Sequence, residues 1–137
     1  LFDKTGTLLL QYPAGRGGSY AVPDQTTSIG GGAFAGAITL TQVVLPNSLT
    51  SIGRGAFYGC TTLPQVVFPD SITTIGGSAF YDCRSLTQVT LPAKLSTIEA
   101  GAFSGCLQLR MIQAPDSSPH FTSVDGVLFD KFGTTLL

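Results

Sequence analysis

The chain has 137 residues, of which 43% are apolar and only 11% charged, and its seven basic and eight acidic side chains give a net charge of −1. No basic patch stands out, so we do not expect nucleic acid as a partner. No apolar run approaches the roughly 18 residues that a bilayer span requires, so we expect no membrane insertion of this chain. The length suits one domain with a continuous core.

Residues 1–19 are predicted to form an N-terminal β-hairpin and cap segment. Residues 3–7 have the sequence Asp-Lys-Thr-Gly-Thr, which matches the phosphorylation loop of P-type transport ATPases, in which the aspartate is the nucleophile. The same letters suit a tight turn, because Asp accepts backbone hydrogen bonds and Gly adopts positive φ. No metal-binding acidic motif or nucleotide domain accompanies them, so we favour the turn.

An internal repeat of 23 residues follows and dominates residues 20–115. Several residue types recur at this spacing: Pro23, Pro46, Pro69, Pro92 and Pro115; Ile29, Ile52, Ile75 and Ile98; Phe34, Phe57, Phe80 and Phe103; and Cys60, Cys83 and Cys106, with Ala37 in the first cysteine slot. A unit this short cannot bury its own apolar face. Stacked units can, since each slot then forms a ladder through the core.

Each unit is predicted to contain a short strand and a tight turn. Val89 and Leu91 alternate with polar residues, which is the period of a strand, and Pro92 ends it because proline cannot donate to a ladder. The stretch around Phe103 is too short for a full helix, so we predict a single helical or 3₁₀ turn, released by Gly105. The expected fold class is therefore an α+β repeat solenoid with parallel strands.

The clearest unit, residues 86–106, reads LTQVTLPAKLSTIEAGAFSGC and resembles the BspA-like class of leucine-rich repeats slot by slot. The resemblance covers residues 20–115. It implies a right-handed solenoid, a role as a bacterial cell-surface or secreted binding protein, and no enzymatic activity. The first unit departs from the pattern, with Tyr20 in a Val slot, Thr26 in a Leu slot and Ala37 in the Cys slot, as suits a terminal turn.

Residues 116–137 are predicted to form a C-terminal β-hairpin segment around Asp125-Gly126, a two-residue turn signal. Leu128-Phe129-Asp130-Lys131 repeats residues 1–4 at an offset of 127, and Gly133-Thr134 repeats residues 6–7. With no initiator Met, we expect the chain to be part of a larger protein. Residues 116–137 are then the start of a possible next module, or else the two matching segments cap a single stack.

The candidate chemical groups favour packing over catalysis. One cysteine per unit gives no local metal-ligand pair, and neighbours in a ladder lack the orientation that a disulfide prefers, so we predict buried, unpaired thiols. His120, the only histidine, lies in a loop-like stretch without a nucleophile or orienting partner in sequence. We expect no enzyme activity, no catalytic or metal-binding residue and no cofactor.

The exposed positions of the predicted strands form a nearly uncharged surface, which we call the polar face. Its residues are Gln42, Val44, Gln65, Val67, Gln88, Thr90, Arg110 and Gln113. Gln65 and Gln88 are expected on adjacent interior strands. Such a face suits a protein or glycan partner. Together with the family resemblance, which implies a secreted or cell-surface location, it leads us to expect a monomeric adhesion module. The alternative is a structural spacer within a larger surface protein, with no ligand site of its own.

Overall fold

A computed structural model describes residues 1–132 of the chain; residues 133–137, which include the Gly133-Thr134 part of the second motif copy, lie outside this range. Eleven short strands make up the regular structure of these residues. In chain order they are β1 (Leu8–Leu9), β2 (Gly18–Ala21), β3 (Ser28–Ile29), β4 (Leu40–Val44), β5 (Ser51–Ile52), β6 (Thr74–Ile75), β7 (Gln88–Thr90), β8 (Thr97–Ile98), β9 (Met111–Gln113), β10 (Phe121–Val124) and β11 (Val127–Asp130).

The strands belong to a parallel solenoid of about five turns. We call these turns the cap coil (residues 7–22), coil 1 (23–45), coil 2 (46–68), coil 3 (69–91) and coil 4 (92–114). Each contributes one two-residue strand to a five-stranded parallel sheet in the order β1-β3-β5-β6-β8. Its register pairs Ile29 with Ile52, Ile52 with Ile75 and Ile75 with Ile98. The 23-residue period therefore fixes the register.

The core consists of the ladders that the repeat predicts. Phe34, Phe57 and Phe80 are fully buried, and neighbouring rings stack almost parallel at centroid distances of 4.7 Å and 5.0 Å. Phe103 continues the stack at 5.4 Å but is only half-buried, because coil 4 has no further coil above it among residues 1–132. Apolar burial in this protein is thus shared between successive coils.

The predicted helical or 3₁₀ turn is wrong: residues 1–132 contain no helix, so the α+β class is corrected to a β-solenoid. In coil 1, the backbone N–H groups of residues 32–36 alternate between two kinds of acceptor. Ala33 and Ala35 donate three residues back, whereas Gly32, Phe34 and Gly36 donate to carbonyls of coil 2 at 2.7–2.9 Å. A helix would need every N–H for its own ladder, and positive φ at Gly32 and Gly36 also interrupts it.

Coil 3 has the same turn geometry although two positions that are glycine in coil 2 carry side chains. Ser78 and Asp82 occupy the slots of Gly55 and Gly59, and they adopt φ of 55° and 59°. Their N–H groups still donate to Ala100 and Ser104 of coil 4. The bonds between coils therefore hold two side-chain-bearing residues in the left-handed region, at a conformational cost.

The second sheet is not continuous, which also corrects the prediction for Gln65. It consists of two separate pairs, β2-β4 and β7-β9, because residues 64–68 of coil 2 form no strand. Thr87 and Arg110 each donate an N–H to the same slot of the preceding coil, but Pro64 has no N–H to donate. Phe68 takes a leucine slot, and its larger ring turns inward edge-on against Phe80, at 5.7 Å.

Both ends of the stack carry antiparallel pairing. At the C-terminal end, β10 and β11 form a hairpin whose two-residue turn is Asp125-Gly126, both with positive φ. Gly126 accepts a hydrogen bond from Ile112 N–H, which attaches the hairpin to β9. At the N-terminal end, Phe2 forms an antiparallel bridge with Leu9 of the cap coil.

Candidate binding surface

The polar face lies on the outer side of the split sheet, and all eight of its residues are exposed. Gln42 and Val44 lie on β4, Gln88 and Thr90 on β7, and Gln113 on β9 with Arg110 just before it. Seven of the eight residues directly flank an inward residue of the valine ladder, which consists of Val43, Val66, Val89 and the half-buried Ile112; Arg110 lies two residues before Ile112 and is outside this alternation. The period-two pattern thus places the predicted side chains on one side of the solenoid.

Gln65 and Val67 differ from the other six residues because they belong to the irregular segment 64–68. The N–H groups of residues 65–68 have no backbone acceptor among residues 1–132. A cleft of about 230 Å³ separates this segment from coil 3, and one of about 240 Å³ separates it from coil 1. Gln65 and Gln88 both line the first cleft, and Val67 is 73% exposed beside the second.

The structure also shows an exposed aromatic pair outside the polar face. Tyr58 and Tyr81 stack with centroids 5.1 Å apart and an interplanar angle of 7°. Their slot holds Ala35 in coil 1 and Ser104 in coil 4, so small side chains flank the pair. The 23-residue spacing between the two tyrosines was the signal in the sequence that could have revealed it.

Asp3 is held as a turn residue. Its Oδ2 accepts a hydrogen bond from the Thr5 hydroxyl at 2.6 Å, and its Oδ1 accepts from the backbone N–H groups of Thr7 and Leu8 at 3.0 Å. The Thr5 hydroxyl and these N–H donors lower the pKa of the Asp3 carboxyl. Gly6 adopts the positive φ that the turn requires. Both carboxylate oxygens thus serve the turn.

The cysteine ladder packs against the phenylalanine ladder. The Cys60 and Cys83 thiols are buried and donate to the carbonyl oxygens of Phe34 and Phe57 at 3.2 Å and 3.1 Å. Burial raises the pKa of Cys60 to about 12. The adjacent Cys106 thiol, followed by burial, raises the pKa of Cys83. Cys106 is only half-buried, because it lies in the last coil.

Other chemical groups remain dispersed. Residues 1–132 contain no group of three or more His, Cys, Asp or Glu side chains placed to hold a metal ion. His120 is exposed in the loop before β10. The same part of the chain has no helix with the length and apolar character needed to cross a membrane.

The repeat pattern and the solenoid geometry agree with a family model. The model for the BspA type leucine-rich repeat region matches residues 18–131 in six copies. The chain belongs to the BspA-type leucine-rich repeat family. A search of curated proteins gives no match.

Crystal structures of bacterial leucine-rich repeat proteins share the fold. A leucine-rich repeat protein of T. pallidum has 36% identity and a TM-score of 0.68, over 69% of this chain and 44% of its own. One from Eubacterium ventriosum has 26% identity and a TM-score of 0.81, over 90% and 34%. The pneumococcal vaccine antigen PcpA has 25% identity and a TM-score of 0.75, over 85% and 29%. The chain therefore spans less than half of each of these proteins.

Proposed function

We propose that this chain is a non-enzymatic binding module of a bacterial surface or secreted protein, and that the polar face contacts a protein or glycan partner. The carrying observation is the row of exposed side chains at fixed spacing on the split sheet, with a cleft on each side of residues 64–68. The family resemblance and the pneumococcal antigen among the similar structures support a surface location.

The composition of the polar face suits hydrogen bonding with a small apolar contribution. Gln42, Gln65 and Gln88 offer amide donors and acceptors, while Val44 and Val67 are 49% and 73% exposed. The backbone of Gln42, Val44 and Gln88 is held by strand pairing, which reduces the ordering cost that a partner must overcome at these positions. The clefts beside residues 64–68 add concave surface that a flat sheet lacks.

The test is a double substitution, Gln65→Glu with Gln88→Glu, at the cleft between coils 2 and 3. Two like charges across this cleft should cost only a few tenths to about 1 kcal/mol of stability, because both side chains are exposed. A partner selected by screening glycans and extracellular-matrix proteins against the native chain should bind the variant at least about tenfold more weakly, since a partner in the cleft must desolvate both charges.

The matched control is Thr50→Glu with Thr73→Glu, which adds the same charges one coil apart beside the five-stranded sheet. Each threonine donates a hydroxyl hydrogen bond to the preceding coil, so the control is at least as disruptive to the stack. Partner binding should survive in the control. A screen that finds no specific partner favours the spacer role. A partner that binds the Gln65→Glu, Gln88→Glu variant as tightly as the native chain places the binding site outside the polar face.

A further inference from the structure

The stacked tyrosines Tyr58 and Tyr81 have uncovered ring faces at both ends of the pair. Their inner faces lie against each other, and the two side chains are 48% and 38% exposed. The same slot holds Ala35 in coil 1 and Ser104 in coil 4, and neither side chain is large enough to cover a ring. A flat ligand can therefore continue the stack on the outer face of either tyrosine.

Polar groups adjoin the pair on the Tyr81 side. Arg84, three residues further along the chain, donates hydrogen bonds from Nε and Nη2 to the two carboxylate oxygens of Asp82, at 2.8 Å and 3.0 Å. Asp82 raises the pKa of Arg84, and Tyr81 makes a smaller contribution in the same direction, which places the phenol within electrostatic range of the guanidinium. The equivalent residues beside Tyr58 are the uncharged residues 59 and 61. The two ends of the pair therefore differ in chemistry.

Backbone contacts with coil 4 hold the Arg84–Asp82 ion pair in place. Asp82 N–H donates to the carbonyl oxygen of Ser104 at 2.9 Å, and Arg84 N–H donates to that of Asp82 at 3.0 Å. Gly105 lies against Asp82, because a Cβ at Gly105 would come within 3.5 Å of Asp82 Oδ1. The carboxylate therefore lies on the side of coil 3 that faces coil 4. The exposed Ser104 hydroxyl has no hydrogen-bond partner among residues 1–132.

These groups fit a neutral sugar ring better than other ligands. A pyranose presents C–H groups on its face, which the negative face of an aromatic ring attracts, and hydroxyl groups around its edge. Three guanidinium N–H groups of Arg84 and further lone pairs of Asp82 remain for such hydroxyls. The ion pair has no net charge, so it attracts the phosphate of a nucleotide little. A stable protein interface buries roughly 800 Å² per partner, far more than two rings and one ion pair provide.

We propose that the outer face of Tyr81 is a saccharide-binding site, separate from the polar face. The sugar ring stacks on Tyr81 in the space outside Ser104, where coil 4 has no aromatic residue. Asp82, Arg84 and the Ser104 hydroxyl form hydrogen bonds with the hydroxyl groups at the edge of the sugar. Because coil 4 already holds the backbone of Asp82, little ordering of this residue is needed on binding.

The test is the binding of three neutral tetrasaccharides, cellotetraose, N-acetylchitotetraose and mannotetraose, to the native chain. Saturation-transfer NMR with irradiation of the aromatic ring protons detects weak binders and reports which sugar protons lie against a ring. At least one tetrasaccharide should bind, with the strongest transfer to C–H protons on one face of a sugar ring. A native chain that binds none of the three overturns the proposal.

Substitutions at Tyr81 test the stacking contact. Tyr81→Ser removes the ring and introduces the residue that occupies the same slot in coil 4, so the turn accepts it. The affinity for the tetrasaccharide should fall at least about tenfold, whereas Tyr81→Phe, which keeps the ring face, should bind within about twofold of the native chain. Equal affinity of the native chain and Tyr81→Ser overturns the proposal. Should Tyr81→Ser not fold, the exposed Arg84→Thr, with the coil 2 residue of that slot, should lower the affinity with the fold intact.

The matched control is Tyr58→Ala, which removes the other ring and introduces the residue of the same slot in coil 1. It should bind the tetrasaccharide within about threefold of the native chain, because the sugar stacks on the opposite end of the pair. An equal loss in Tyr58→Ala and Tyr81→Ser contradicts the assignment to Tyr81. The Gln65→Glu, Gln88→Glu variant separates the two surfaces: binding that is lost there and kept in Tyr81→Ser places the sugar on the polar face and overturns the proposal.

Discussion

Replacing Phe80 with alanine tests how strongly the stack depends on its aromatic ladder. Phe80 has no exposed surface, and its ring stacks between Phe57 at 5.0 Å and Phe103 at 5.4 Å, with Phe68 edge-on at 5.7 Å. A buried Phe→Ala change costs about 3–5 kcal/mol, to which lost aromatic pairing contributes roughly 0.5–1.5 kcal/mol per pair. With three rings in contact, we expect the upper part of that range, about 4–5 kcal/mol.

The matched control is Phe103→Ala in the same slot of coil 4. Phe103 is half-buried and has one stacked neighbour, so its loss should cost about 1–2 kcal/mol, near the transfer value of a partly buried side chain. Urea unfolding followed by circular dichroism gives both values, and a domain of this size has about 5–15 kcal/mol to lose. If Phe80→Ala unfolds the protein outright, Phe80→Leu should retain the fold with a loss of about 1–2 kcal/mol. A loss under about 1 kcal/mol at Phe80, or an equal loss at both positions, refutes the ladder as the main source of stability.

Two further predictions concern backbone strain and the buried thiols. Ser78→Gly should raise the free energy of unfolding in urea by about 1 kcal/mol, because glycine adopts the φ of 55° without a steric cost. The reverse change at the equivalent position, Gly55→Ser, should lower it by a similar amount. Changes of the same sign in the two variants contradict this explanation. The raised pKa of Cys60, about 12, means that the unfolded chain releases this proton first as pH rises above about 9, so stability should fall between these values. Unfolding measured across this pH range should show that decline, Cys60→Ala should reduce it, and a decline of unchanged size in that variant contradicts it.

The repeat spacing alone predicted the register of the core. Pairing of Ile52 with Ile75 and stacking of Phe57 on Phe80 follow from one period, because identical units can bury their apolar side chains only by lying in register. The hairpin turn at Asp125-Gly126 was equally readable, since a two-residue turn with positive φ strongly favours these residue types. Both features depend on local or repeated chemistry.

Other features depend on departures within single units, and the sequence analysis missed them. Pro64 and Phe68 interrupt the second sheet, although the flanking residues Gln65–Val67 alternate like a strand. The turn around Phe57 is not helical, because its N–H groups bond to the next coil and not along their own segment. Tyr12, whose ring lies against Phe34 with centroids 5.0 Å apart, was not recognised as part of the aromatic ladder because it lies outside the 23-residue period. What binds the polar face depends on a partner and stays a prediction.

The interruption of the second sheet has a mechanical consequence. Along the five-stranded sheet and the Phe turns, coils 1 and 2 are joined by backbone hydrogen bonds, including Gly53 N–H to Ile29 O and Phe34 N–H to Ala56 O. On the opposite flank, residues 65–68 share no backbone hydrogen bond with coil 1. Bending that widens the cleft at Val67 therefore breaks no backbone hydrogen bond there, whereas the same bending at β2-β4 or β7-β9 would break strand pairing. A ligand spanning the interruption can change the curvature of the whole stack at small elastic cost.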